Sequence, residues 1–227
     1  MGRHLSIGNP PITVELRHST RAKRLSLRVS RLDGRVTLTM PARGSERAAL
    51  AFLAEREDWL QGHVSAVAPL RRVVIGGSVL VEGAEVPLRA GTRAVLQGGV
   101  LYAPEKATAR RVEAFLKLRA RDRLAAASDR YAAAVGRSYS RLSLRDTRSR
   151  WGSCSSKGGL MYSWRLIMAP PEVLDYVAAH ECAHLVEMNH SAAFWGVVAR
   201  LMPDYDVHRR WLKANGDLLH RVSFDDS

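Results

Sequence analysis

The sequence runs to 227 residues and carries 35 Lys and Arg against 22 Asp and Glu, a formal net charge of +13. With 46% hydrophobic and 25% charged residues, its composition is that of an ordinary soluble globular protein. No apolar run is long enough to cross a bilayer, which excludes a membrane-spanning class. Two cysteines, Cys154 and Cys182, and an N-terminus without a charged-then-apolar leader point to a reducing, cytoplasmic location with no disulfide. The length suits one catalytic domain and a smaller module. The positive charge would draw nucleic acid or nucleotides through a general field, which bears on association and not on chemistry. Oligomeric state leaves no mark on the sequence.

Residues 1–11 contain Gly8, Asn9, Pro10 and Pro11 and read as a flexible arm. Beyond them apolar and polar residues alternate at Ile12, Val14 and Leu16, at Leu25, Leu27 and Val29, and at Val36, Leu38 and Met40. That period predicts a small antiparallel sheet, with Asp33-Gly34 turning between its last two strands. From Ser45 the period becomes helical through Ala49, Phe52, Leu53, Trp59, Leu60, Val64 and Val67, ending at Pro69. Short strands punctuated by glycine follow from Val73 to Tyr102. Residues 12–103 therefore read as one β-rich module.

A long helix is expected after Pro104, with Val112, Phe115, Leu116, Leu124, Tyr131 and Val135 on its apolar side and Gly136 closing it. It opens a catalytic domain over 104–222. Leu142 and Leu144 suggest a strand, Thr147 to Gly158 a polar loop, and Leu160 to Met168 a second strand that could offer its edge to an extended peptide. Pro170-Pro171 and Glu172 suit the first turn of the next helix. A last helix is predicted from about Val207 to Leu219, and residues 223–227 as a frayed tail.

The helix after Pro171 carries His180-Glu181-Cys182-Ala183-His184. Residues four apart share a helix face, so His180 and His184 can aim two imidazoles at one point with Glu181 beside them. A catalytic zinc wants three protein ligands and an open fourth position. His190 is the candidate third ligand. Ten residues rise ~15 Å along a continuous helix, so the helix must end between His184 and His190. Asn189 tolerates the left-handed conformation that ends helices, and Ser191 can cap a new helix through Phe194, Trp195 and Val198. Cys154 as a fourth ligand would close the site and make it structural. Tyr205 and His208 are candidate oxyanion donors, and Arg148, Arg150 and Arg165 candidate binders of substrate carboxylates or phosphates.

Arg150-Trp151-Gly152-Ser153-Cys154, Trp164-Arg165-Leu166-Ile167, Asp175-Tyr176-Val177, His180-Glu181 to His184, and Asn189-His190-Ser191 with Phe194-Trp195 together resemble the YgjP-like metallopeptidases, relatives of the SprT and WLM zinc peptidases. The resemblance implies an α+β fold: a zincin-like helical catalytic domain with a short sheet, plus the N-terminal β-rich module. It implies Zn2+ on His180, His184 and His190, with Glu181 as the general base toward a water held at the zinc. A peptide or protein would be the substrate. Relatives often carry Asn where this chain has Ser163, and Leu where it has Cys182. Two other classes stand beside this reading: a metal-dependent nucleotide phosphoanhydride hydrolase, which the basic charge would suit, and a nucleic-acid-associated protein with a non-catalytic zinc. Glu181 speaks against the latter, because a structural site needs no general base.

Overall fold

A computed structural model describes residues 3–30, 34–66 and 70–226 and has an α+β composition. The chain divides into two compact units, Met1–Leu70 and Arg71–Ser227, each with its own buried apolar cluster.

In the first unit, β1 (Arg3–Ile7), β2 (Ile12–Ser19), β3 (Ser26–Val29) and β4 (Val36–Pro41) form a sheet in the order β1-β2-β4-β3. Ile12, Val14 and Leu16 of β2 and Val36, Leu38 and Met40 of β4 are buried, as a period of two requires. The sheet is mixed, because β2 and β4 run parallel between two antiparallel pairs. Of the arm expected over 1–11, residues 3–7 are a strand and 8–11 a turn: β1 pairs with β2 from Arg3↔Leu16 to Ile7↔Ile12, and Leu5 and Ile7 pack on the core. Asp33 of the predicted turn lies outside the described residues, and Gly34 has φ 69°. The single helix expected from Ser45 is two, α1 (Glu46–Ala54) and α2 (Glu57–Ser65), broken where Arg56 takes φ −119°. Leu53 and Leu60 are buried, whereas Trp59 is 43% exposed and stacks on His63. Val67 and Pro69 lie outside the described residues.

In the second unit, β5 (Arg71–Arg72) precedes β6 (Ser78–Val81), β7 (Ala84–Ala90), β8 (Val95–Gln97) and β9 (Val100–Ala103). The last four form a sheet in the order β6-β7-β9-β8, again two hairpins joined by a parallel pair. The same strand order thus occurs twice, although no sequence repeat is visible. Val79, Val81, Leu88 and Leu101 share one buried cluster with Val112, Leu116 and Leu124 of α3 (Thr108–Ala134). The compact units therefore part at 70/71 and not after residue 103, because a small sheet must cover its apolar face and α3 is the helix that covers this one.

Beyond α3, β10 (Arg141–Arg145), β11 (Gly152–Cys154) and β12 (Gly159–Ser163) form a sheet in the order β10-β12-β11. The strand expected over 160–168 ends at Ser163 and becomes a 3₁₀ turn, Trp164–Met168. Trp164, Leu166, Ile167 and Met168 are all buried, which an alternating strand with one solvent face cannot achieve. Then come α4 (Pro171–Ala183), α5 (Ala192–Leu201), α6 (Tyr205–His220) and β13 (Val222–Ser223). Residues 223–226 of the tail predicted to fray are held instead. β13 pairs with β5, and an Asp226 carboxylate oxygen accepts the Ala109 N–H at 2.9 Å, satisfying a free donor in the first turn of α3.

Candidate metal centre

Helix α4 starts at Pro171 and buries Val173, Leu174, Val177, Ala178 and Cys182 on its core side. His180 and Glu181 fall in its last turn, and His184 is the first residue past its end, still near helical geometry at φ −66° and ψ −14°. Bonds from Leu185 N–H to Cys182 O and from Val186 N–H to Ala183 O tighten the exit. No left-handed Asn189 is used: among the described residues only Glu82 and Ala107 are non-glycines at positive φ. The turn is held by His184, whose Nδ1–H donates to the Glu187 carbonyl at 3.0 Å. Ser191 then caps α5, its hydroxyl accepting the Phe194 N–H at 3.3 Å.

This path carries His190 back to the end of α4. Its Nε2 lies 3.0 Å from Nε2 of His180, and one ring nitrogen from each of His180, His184 and His190 falls within 4.8 Å of the others. The ring of Phe194 lies under all three, 4.4 to 4.9 Å between centroids. Burial, then the neighbouring imidazoles and Arg209, push His180 down to about 3, and burial first of all lowers His184. Neutral imidazoles with bare nitrogens are what a borderline-soft divalent ion such as zinc takes. The His184 bond to Glu187 leaves its Nε2 free for a ligand. The donor set fits a metal of that class, with no cysteine or carboxylate joining the three among the described residues. Cys154 stays outside the cluster, and burial pushes its thiol up to about 11.

Glu181 is 5% exposed and faces β11. Ser163 N–H donates to Trp151 O and Ser155 N–H to Gly159 O, so alternation turns the amides of Gly152 and Cys154 away from β12. The Cys154 N–H meets the Glu181 carboxylate there. Burial pushes Glu181 up to about 8, against the opposing pull of Arg150 and the Cys154 amide. A cation among the three imidazoles would favour its ionised form.

The other candidates divide. Arg165 is committed internally: its side chain donates to both Asp146 carboxylate oxygens and to the carbonyls of Leu219 and Val222, so it is no rim residue. His208 turns to Asp204 at 3.2 Å. Tyr205 stacks near Trp195 and Tyr176, centroids 5.4 and 6.4 Å away, while Tyr176 itself packs edge-on to His180. Ser163 is fully buried. The Arg150 side chain lies within electrostatic reach of Glu181. β12 is the central strand, paired on both flanks, and β10 and β11 are the edges of the sheet. Sequence reading gave no place in the site to Gly152, Tyr176 or Leu212, which line the same cleft as His180 and Glu181. Tyr176 could have been found, since it stands one helical turn before His180 on the ligand face.

Among the described residues no helix is long and apolar enough to cross a membrane. No curated protein and no solved structure matches the chain. A family model described as "YgjP-like, metallopeptidase domain" matches residues 23–215.

Proposed function

Since the chain belongs to the YgjP-like metallopeptidase family, we propose that it is a zinc peptidase in which His180, His184 and His190 hold the metal and Glu181 is the general base. The observation that carries this reading is the convergence of three imidazole nitrogens within 4.8 Å beside a buried carboxylate. Zinc bound there would acidify a water and polarise the scissile carbonyl. Glu181 takes the proton on its carboxylate and delivers it to the leaving amine. Gly152 and the Cys154 amide hold that carboxylate against β11. An extended substrate backbone would lie along the part of the outer edge of β11 that Glu181 does not cover, since an edge strand supplies main-chain hydrogen bonds without regard to side-chain identity. The first helical turn of α6 brings Tyr205 beside Tyr176 and Trp195 as an aromatic wall on the His180 side.

Peptide hydrolysis is favoured over phosphoanhydride hydrolysis by the family and by cleft walls that are aromatic or aliphatic at Trp151, Tyr176, Val177 and Leu212, the charges of Arg150 and Arg209 being directed at Glu181 and His180. A triphosphate would need cationic clamps there. The test is Glu181→Gln in the zinc-loaded protein, assayed on a peptide library and on nucleoside triphosphates before and after chelation. Gln keeps the shape but cannot take the proton, so zinc should remain while turnover falls by ~10²–10⁴-fold. A variant that keeps zinc and cleaves as fast as the parent would remove Glu181 from the mechanism.

A further inference from the structure

His180 and Glu181 form one end of a cleft of about 220 Å³, whose other walls are Trp151, Gly152, Tyr176, Val177 and Leu212. Because the cleft shares a wall with both the metal ligand and the base, a substrate reacting at the centre has its neighbouring group within reach of it. Glu181 is its one charged lining residue. A polar side chain that finds no counter-charge there would lose its hydration against Val177 and Leu212 without gaining a partner, and a basic one would tie up Glu181, the proposed base. An acidic one would also face Glu181. The volume exceeds the ~150 Å³ of an apolar cavity that accepts benzene, and so admits a branched aliphatic or a phenyl group.

The Trp151 wall packs against α6. Its indole lies 4.8 Å from the His220 ring, centroid to centroid. Gly216 of α6 is open to it, so that a Cβ at that position would fall 2.8 Å from Trp151 Cζ2 and 3.3 Å from Nε1. Glycine is unfavourable inside a helix relative to alanine, and the approach of the indole accounts for its presence within α6.

We propose that this cleft receives an apolar substrate side chain of about leucine or phenylalanine size next to the bond that is cleaved, with the Trp151–Gly216 contact setting its width. The inference rests on the peptidase reading and specifies its substrate class. It is tested on the zinc-loaded full chain with N-acetylated amino-acid hydroxamates bearing methyl, isobutyl, benzyl or carboxyethyl side chains. Binding is followed by calorimetry, and peptides carrying the same side chains are assayed for cleavage.

Isobutyl and benzyl should bind on the order of tenfold or more tighter than methyl, as one to a few buried methylenes give, and carboxyethyl should bind no better than methyl. Gly216→Ala, which displaces the indole, should lower the isobutyl-to-methyl ratio while zinc content and thermal midpoint are kept. Leu212→Ala, which deepens the cleft, should raise benzyl relative to isobutyl. Equal binding of all four hydroxamates, tightest binding of carboxyethyl, or a ratio unmoved by Gly216→Ala overturns the proposal. Discrimination among hydroxamates with no peptide cleaved supports the pocket and overturns the peptidase reading. Cleavage indifferent to the side chain does the reverse.

Discussion

Gly152 lies so close to Glu181 that a Cβ at position 152 would sit 2.5 Å from the Glu181 Oε1 and 2.6 Å from its Cγ. The contact joins the edge strand β11 directly to the proposed base. Gly152→Ala should therefore displace the carboxylate while leaving the three imidazoles where they are. A misplacement of about 1 Å can cost on the order of 10²-fold in rate. Zinc content should stay at the parent value while kcat/KM falls by roughly that factor, which steady-state kinetics and elemental analysis would resolve. Loss of zinc in this variant would mean that Gly152 supports the ligands and not the base.

Replacing His180, His184 or His190 by Ala should each reduce bound zinc and abolish turnover, because two imidazoles are too few for a stable catalytic site. Cys154→Ala should keep the metal, since its thiol stands outside the cluster. Chelation should silence the parent enzyme and added zinc restore it. Equal metal loss in Cys154→Ala would place a fourth protein ligand on the ion.

The C-terminal end should contribute measurably to stability. The Asp226 carboxylate accepts the Ala109 N–H at the start of α3, an interaction of the kind that costs about 0.5–2 kcal/mol when a cap is removed. Asp226→Ala should lower the thermal midpoint without touching activity. An unchanged midpoint would show that the tail contributes nothing in solution.

A pH dependence follows from Asp146 and Arg165. Burial raises the Asp146 carboxyl, but the hydrogen bonds and charge of Arg165, with His220 and Lys117, outweigh it and hold the group below its ordinary 3.8. A carboxyl depressed in the folded state adds stability that is fully present above the unfolded value and is lost as pH falls through the folded one. Asp146 is 42% exposed at its side chain, so water screens the pair and the contribution is about 1 kcal/mol at neutral pH. Denaturant titrations of the parent and Asp146→Asn should differ by that amount at pH 7 and converge below about pH 4, on the linkage argument. Curves that stay parallel down to pH 3 would remove Asp146 as the source.

Local periodicity and spacing made much of the chain legible. The buried positions of β2 and β4, the long α3 and the helix from Pro171 all follow from apolar patterns that a strand or a helix must turn toward a core. The proposed ligand set was equally local, since His180 and His184 are one turn apart and a helix end before His190 was sterically required. What the pattern could not decide was what each element would meet. Leu160 and Met168 look like the ends of one strand until β10 and β11 claim both flanks of β12 and the consecutive apolar residues after Ser163 have to be buried on every side. Strands at 71–103 read like a continuation of those at 12–41, and only packing on α3 assigns them to the second unit. Gly152 beside Glu181, Gly216 beside Trp151 and Asp226 on Ala109 join residues 29, 65 and 117 positions apart. Backbone propensity acts over a turn or a strand length, whereas such contacts are chosen by which surfaces the whole chain can bury at once.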